Sequence, residues 1–341
     1  MTSRLLYDNL LGHFPKTSLR MAFAYGSGVF HQVGNDNMKK NMIDLIFVVD
    51  DSLKWHQENV TRNPRHYSFL RYGGASAVNW VQNNFKSYVY FNTLVKCEDR
   101  VIKYGVISDH ALKLDLKDWE CLYTSGRLQK PVKMLFNDTD DSLETAQRVN
   151  LENAIHTAML LLPDEFSEEE LFEALASLSY TGDLRMTYGE DKNKIKSIVK
   201  PNIDRFRELY RPKLEKEEHL HWLKSQGKIQ QSLCSASRIH HLNLLPKNLT
   251  DVLVEHYNAD QRNRDTEEIF RALANDCQCR SLVRDSVSKI VKSSSTIQSV
   301  KGFFTAGIRK SLRYSLNKIS KMKRSEALAQ KTLKEKTTEA Q

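Results

Sequence analysis

The sequence predicts an α/β domain followed by a mainly helical domain and a basic amphipathic C-terminal helix. Three observations carry that prediction. Segments rich in β-formers alternate with Gly, Asn and Asp turns over residues 20–135, helical periods take over from Ser142, and positive charge collects at the end of the chain.

In the first domain, residues 1–140, strands are expected at 21–25, 43–49, 87–95 and 102–107, each rich in β-branched and aromatic residues and bounded by turn formers. In the second, residues 141–290, Ala146, Val149, Ala154, Met159 and Leu162 recur at helical spacing. A further helix is expected over 167–178, where Ser167 and Glu170 form a capping box. The domain reads as mainly helical, with a winged-helix-like form as one option. A charged run at 215–218 marks a surface turn, and Pro246 interrupts helices that continue to about residue 291.

In the third unit, residues 291–341, Ile297, Val300, Phe304, Ile308, Leu312, Leu316 and Ile319 are spaced by threes and fours and share one helical face. Lys301, Arg309, Lys310, Arg313, Lys318, Lys321, Lys323 and Arg324 fall mostly on the others, the pattern of a basic interfacial helix. Phe303, Phe304, Ile308, Arg309, Lys310, Leu312 and Arg313 are the expected membrane-binding residues. Residues 280–341 hold 15 Lys+Arg against 4 Asp+Glu, a net +11, which leaves −2 for the rest of a chain whose total is +9. The tail therefore meets an anionic partner, lipid head groups ahead of RNA, and no nucleic acid is expected on the body.

The mean hydropathy of −0.53 and the lack of any apolar run near the roughly 20 residues of a spanning helix exclude a multi-span membrane protein. The five cysteines, Cys97, Cys121, Cys234, Cys277 and Cys279, are odd in number and scattered, and read as reduced thiols with no zinc site. Asp8 interrupts any secretory signal. Arg4, Leu5, Leu6, Leu10 and Leu11 outline a helix too short and too poor in Arg to settle a mitochondrial presequence.

Two segments carry chemistry. In Tyr25-Gly26-Ser27-Gly28 the glycines permit close backbone approach, and the amides with a hydroxyl suit the phosphates of a nucleotide. The segment is neither a Walker loop nor a dinucleotide fingerprint. Asp44 lies 17 positions after Ser27 in an otherwise apolar strand, where a carboxylate is costly to bury unless paired; a metal ion is a natural partner. A glycine-serine turn followed by a carboxylate-bearing strand resembles the polymerase-β-like nucleotidyltransferases, in which carboxylates hold magnesium against the triphosphate. The sequence departs from that pattern, because Met42 stands where the first of two carboxylates is usual, so a missing ligand is sought at Asp50 or Asp51. Asp115, between Leu114 and Leu116, has two readings open: a further metal ligand on a later strand, or a cap before Trp119. Lys103, Arg127 and Lys130 read together as an anion site, with Asp44, Lys103 and Lys130 as the catalytic set.

The order of Tyr25–Phe30, Met42–Asp51, Trp55–Asn59, Asn63–Ser68, Lys103–Val106, Gly126–Val132, Ser179–Met186, Gly189–Lys194 and Lys301–Gly307 resembles the mitochondrial translocator assembly and maintenance family, peripheral CDP-diacylglycerol synthases, over nearly the whole chain. The resemblance implies that CTP and phosphatidate give CDP-diacylglycerol and pyrophosphate, with Mg2+, on the matrix side of the mitochondrial inner membrane, supplying cardiolipin synthesis. It further implies that Arg185 and Lys192, with Lys194, face the cleft from the second domain and join Tyr25, Gly26, Ser27, Gly28 and Arg127 in nucleotide binding. His56 and His66 are assigned no role as a base, since a phosphate monoester is already anionic near neutral pH. Two alternatives remain at this stage: a non-catalytic membrane-associated adaptor of protein import, which Met42 keeps open, and a nucleotidyltransferase acting on RNA or protein.

Overall fold

A computed structural model describes residues 3–33, 41–188, 193–217, 219–223 and 227–307. The first half is built on a five-stranded sheet of β1 (Leu19–Tyr25), β2 (Ile43–Val49), β3 (Tyr90–Cys97), β4 (Arg100–Ser108) and β5 (Lys133–Asn137), in the order β3-β4-β2-β1-β5. β2 and β4 are parallel neighbours, and the remaining pairs are antiparallel. The strand alternation read from sequence is thus realised, with β2 at the expected residues and β3 displaced toward its C-terminus.

Side chains alternate across a strand, so each central strand feeds two cores. Leu45, Phe47 and Val49 of β2 pack on one face with Tyr104, Trp55 and the N-terminal helix α1 (Ser3–Gly12). Leu10 of α1 is fully buried there, so this helix is part of the body. α2 (Ser52–Arg62) and α3 (Gly74–Asn83) complete that side. Ile46 and Val48 pack on the opposite face with Phe23, Ile107, Leu112 and Leu116 under α4 (Asp109–Asp118). The short α5 (Ser125–Leu128) precedes β5.

α6 (Asp141–Leu161) begins on the Asp140 cap and joins the two halves: Leu143 and Ala146 belong to the sheet's core, whereas Leu151 to Leu160 enter a second, larger one. That second core gathers α7 (Glu168–Ser177), α9 (Lys194–Val199), α10 (Ile203–Leu214), α11 (Ser235–Asn243), α12 (Lys247–Tyr257), α13 (Thr266–Asn275) and α14 (Cys279–Ala306), while the short α8 (Leu184–Tyr188) lies against α14. The Ser167–Glu170 capping box forms. A small antiparallel sheet, β6 (Glu165–Ser167), β8 (Lys228–Gln231) and β7 (Leu220–Leu223), lies among the helices; strands of three and four residues are too short to leave a period in the sequence.

The expected division at residue 290/291 falls inside α14, whose last turns lie against β3. Their orientation leaves the expected apolar residues outside and departs from the expectation at Lys301. Ser294, Ser295, Gln298, Lys301 and Thr305 are buried, while Val300, Phe303 and Phe304 are exposed. Lys301 donates to the Gln82 carbonyl at 3.3 Å, and Ser87 donates to Gln298, so Lys301 is an internal strut and not part of a basic solvent face. Burial lowers its ammonium pKa to about 7. Ile308, Arg309, Lys310, Leu312 and Arg313 lie outside the described residues. No helix among those described is long and apolar enough to cross a membrane.

Candidate active site

Tyr25, Asp44 and Lys103 are register partners on the adjacent strands β1, β2 and β4, so they share one sheet face near its edge. The turn after β1 is fitted against that edge. Gly26 has φ +79°, and a Cβ there would lie 3.2 Å from Asp44 Oδ2, so both the conformation and the carboxylate call for glycine. Its carbonyl accepts from Val29 N at 3.1 Å and Phe30 N at 3.0 Å, closing the turn. A Cβ on Gly28 would overlap the Met42 carbonyl, and Asn41 Nδ2 donates to the Ser27 carbonyl at 3.1 Å. The Gly-Ser-Gly segment is therefore seated on the start of β2, beside Asp44.

Cations gather around this edge. Lys103 Nζ sits 4.2 Å over the Phe91 ring. The Arg127 guanidinium lies 4.0 Å from the Tyr123 ring and 5.3 Å from the Tyr25 ring, and donates to the Tyr123 carbonyl. Arg185 comes from the second half of the chain, where Asp183 aligns it: Nε lies 3.0 Å from each carboxylate oxygen. The turn that carries this pair is packed on α14, since Gly182 leaves no room for a Cβ against Ser288. Burial opposes ionisation of Tyr123, yet Arg127, Arg185 and Lys103 outweigh it and hold the phenol below its ordinary value. Burial raises the Tyr25 phenol, Arg127 opposes that rise, and Asp44 adds to it. Three cations and the carboxylates of Asp44 and Asp183 thus face one another across the two halves of the chain.

Lys130 completes the group at the end of α5. It donates to the Gly126 carbonyl and, at 2.8 Å, to Ser179 Oγ, with the Tyr180 ring 5.2 Å away. Burial, then the charge of Arg127, lowers its pKa to about 7. An arriving anion would return that proton.

Asp115 is corrected. It lies on α4, not on a strand, is 1% exposed, and both its oxygens are taken. Oδ1 accepts from Cys121 N at 3.0 Å, Leu122 N at 2.8 Å and Cys121 Sγ at 3.2 Å, and Oδ2 from Thr124 N at 2.9 Å and Ser125 N at 2.8 Å. With its lone pairs engaged it shapes the loop that presents Tyr123 and Arg127, and it is no metal ligand. Asp50 and Asp51 cannot replace the missing carboxylate either. They follow the far end of β2, six residues or roughly 20 Å from Asp44. There Asp50 pairs with Arg20 at 2.7 Å and Asp51 caps α2.

His56 bonds Tyr67 and Gln82, each at 2.9 Å, and burial lowers its pKa to about 4; His66 bonds Tyr104 at 3.1 Å. Both belong to the interior on the other side of the sheet. Lys194 donates to Gln32 Oε1 at 3.0 Å, just after the glycine turn, and Lys192 lies outside the described residues. Sequence reasoning missed Tyr123, Asp183 and Asn150. Asn150 accepts from Trp119 Nε1 and Gln129 Nε2, each at 3.0 Å, and donates to the Ser125 carbonyl at 3.1 Å, so α6 grips both ends of the same loop. An i, i+2 acid-base pair at Asp183 and Arg185 was the one available signal.

The profile of the family described as mitochondrial phosphatidate cytidylyltransferase matches residues 7–321. The chain belongs to that family. Among its relatives, the mitochondrial phosphatidate cytidylyltransferase of Danio rerio is 43% identical over 322 residues, spanning 94% of this chain and 95% of the relative. Those of Mus musculus and Rattus norvegicus are 44% and 45% identical over 314 residues, with 92% and 93% coverage. A solved nucleotidyltransferase-like protein from Exiguobacterium sibiricum is similar at a TM-score of 0.23 and 9% identity, over 88% of this chain and 76% of its own.

Proposed function

We propose that this protein is a phosphatidate cytidylyltransferase whose active site is the cleft between the polymerase-β-like sheet domain and the helical domain. The observation that carries the reading is the convergence of Asp44, Lys103, Arg127 and Arg185 on the glycine turn, in a member of this family.

In the reaction, a phosphate oxygen of phosphatidate attacks the α-phosphorus of CTP. A new P–O bond forms as the bond to the bridging oxygen breaks, and pyrophosphate leaves with that electron pair. The attacking phosphate is already anionic, so no strong general base is required, and catalysis rests on positioning and charge. The turn amides and Ser27 face the triphosphate. Arg127 and Arg185 are held rigidly by Tyr123, Tyr25 and Asp183, and offset charge from opposite walls. Lys103 and Lys130 do the same from β4 and the end of α5.

Magnesium fits this donor set. Mg2+ is commonly held by one or two carboxylates plus substrate phosphates, and Asp44, with glycine in place of any side chain beside its Oδ2, supplies one. When bound, the ion would neutralise charge on the α-phosphoryl and the leaving pyrophosphate.

The product would enter the cardiolipin pathway at the matrix face of the inner membrane. Exposed Val300, Phe303 and Phe304 support that placement. So do exposed Phe69, Tyr72, Trp80 and Phe85 on neighbouring segments, which Lys301, Gln298 and Gly307 tie to the end of α14. An apolar rim next to a strongly basic tail suits peripheral contact with anionic lipid.

The test is pyrophosphate release by purified protein with Mg2+ and each of the four nucleoside triphosphates, with and without phosphatidate vesicles. Release confined to CTP with phosphatidate, and lost in Asp44→Ala, is expected. No release under any pairing would sink the reading and leave a non-catalytic adaptor.

A further inference from the structure

The second domain holds a partly buried cluster of histidines that the transferase reaction does not use. His156 comes from α6, Glu217 and His219 from the turn between α10 and β7, and His240 and His241 from α11. Ligand atoms of His156, His240 and His241 lie within 4.8 Å of one another, as do those of Glu217, His219 and His240. His156 Nδ1 is 3.1 Å from His241 Nδ1 and 3.8 Å from Glu217 Oε2; the other Glu217 oxygen is 3.6 Å from His240 Nε2.

These spacings have a common meaning. With metal–nitrogen bonds of about 2.0–2.1 Å, the edge of a tetrahedral site is roughly 3.3 Å; the 3.1 Å His156–His241 separation is near that edge, and Glu217 spans the two trios, with one oxygen toward His156 at 3.8 Å and the other toward His240 at 3.6 Å. His156 and His241 are 9% and 2% exposed. Imidazoles and one carboxylate, with no thiolate, are a donor set for zinc or another borderline divalent transition ion, not for magnesium.

The geometry points to a structural transition-metal site in the helical domain, formed by His156, Glu217, His240 and His241, with zinc as the fitting ion. Four protein ligands from three elements make it a closed site. His219, whose ring centroid is 4.5 Å from that of His240, supports that ligand from outside. A cavity of about 400 Å³ lined by His156, Asn153, Leu244 and Pro246 gives an ion a way in. Binding would fasten α11 and the α10–β7 turn to α6, the helix whose Asn150 holds the active-site loop. Cysteine spacing could not reveal such a site, because its ligands are spread over 85 residues and none is a thiol.

The test uses the full chain without a polyhistidine tag, stripped by chelator and dialysed against Co2+ or Zn2+ at low concentration. About one equivalent of metal per chain is expected, with the intense visible absorption of tetrahedral Co2+, which Zn2+ displaces. His156→Ala combined with His240→Ala should reduce retention at least tenfold, and His219→Ala should keep it. Fewer than about 0.2 equivalents on folded wild-type protein would overturn the proposal whatever the variants do, and so would equal retention by the folded double variant. Neither result bears on pyrophosphate release, so this site and the transferase reading stand or fall separately.

Discussion

Replacing Asp115 by Asn separates two roles that a carboxylate near an active site can have. Asp115 accepts from four backbone N–H groups and the Cys121 thiol in a buried position. In the amide, one oxygen becomes an NH2 donor. Whichever way the side chain turns, two backbone N–H groups then face a donor: those of Cys121 and Leu122, or those of Thr124 and Ser125. A buried donor left unsatisfied costs about 1–3 kcal/mol, so Asp115→Asn should destabilise by about 4 kcal/mol, a large part of a typical domain's stability. Asp44 is half-buried at the sheet edge, and Asp44→Asn should change stability by under about 1 kcal/mol. Urea unfolding followed by far-UV circular dichroism, alongside pyrophosphate release, reads both quantities. The expected result is a lowered midpoint for the Asp115 variant, and for the Asp44 variant a wild-type midpoint with turnover down by at least about a hundredfold. An Asp115→Asn protein with an unchanged midpoint whose only defect is in magnesium-dependent turnover would refute the argument and make Asp115 a ligand after all.

Two further outcomes follow from the same geometry. With the Lys130 pKa at about 7, the free site loses a proton above pH 7 that a bound triphosphate would retain, so KM for CTP should rise by up to about tenfold per pH unit from there. The unfolded chain keeps that proton to higher pH and so binds more protons; Lys130 therefore makes stability rise with pH above 7. Lys130→Met should flatten both profiles, and a wild-type KM that does not change between pH 7 and 9 counts against the assignment. Phe303 and Phe304 are 43% and 54% exposed, so changing both to Ser should leave the fold intact. Burying the remaining halves in lipid is worth about 2–3 kcal/mol together, so flotation with anionic vesicles should weaken roughly 30- to 100-fold, and undiminished flotation would place membrane contact elsewhere.

What was legible in the sequence was whatever depends on local pattern. β2 could be read to the residue because its seven positions are all apolar except Asp44, and the glycine turn could be read because close approach leaves glycine as the sole choice. The motif order carried the family. Asp115 failed for a reason that local pattern cannot correct: a carboxylate between two leucines reads the same on a strand and on a helix, and only the fold shows that Leu114 is exposed and that loop amides have already claimed the Asp115 oxygens. Tyr123 was invisible because its significance is relational, lying among three cations, and Asp183 left only the i, i+2 pairing with Arg185 that it aligns. The end of α14 shows the same limit at one residue, Lys301, which was expected on a solvent face and is buried. Spacing located an amphipathic helix there, but a helical period says which residues share a face, not which face turns inward. Here the inward face is polar because it meets the Gln82 carbonyl and Ser87, and the apolar residues are left outside. Three exposed apolar side chains beside a polar internal seam are hard to explain by folding alone, since burying them was available and would have stabilised the domain. Their exposure is therefore the strongest local sign that this end of the molecule has a partner to meet.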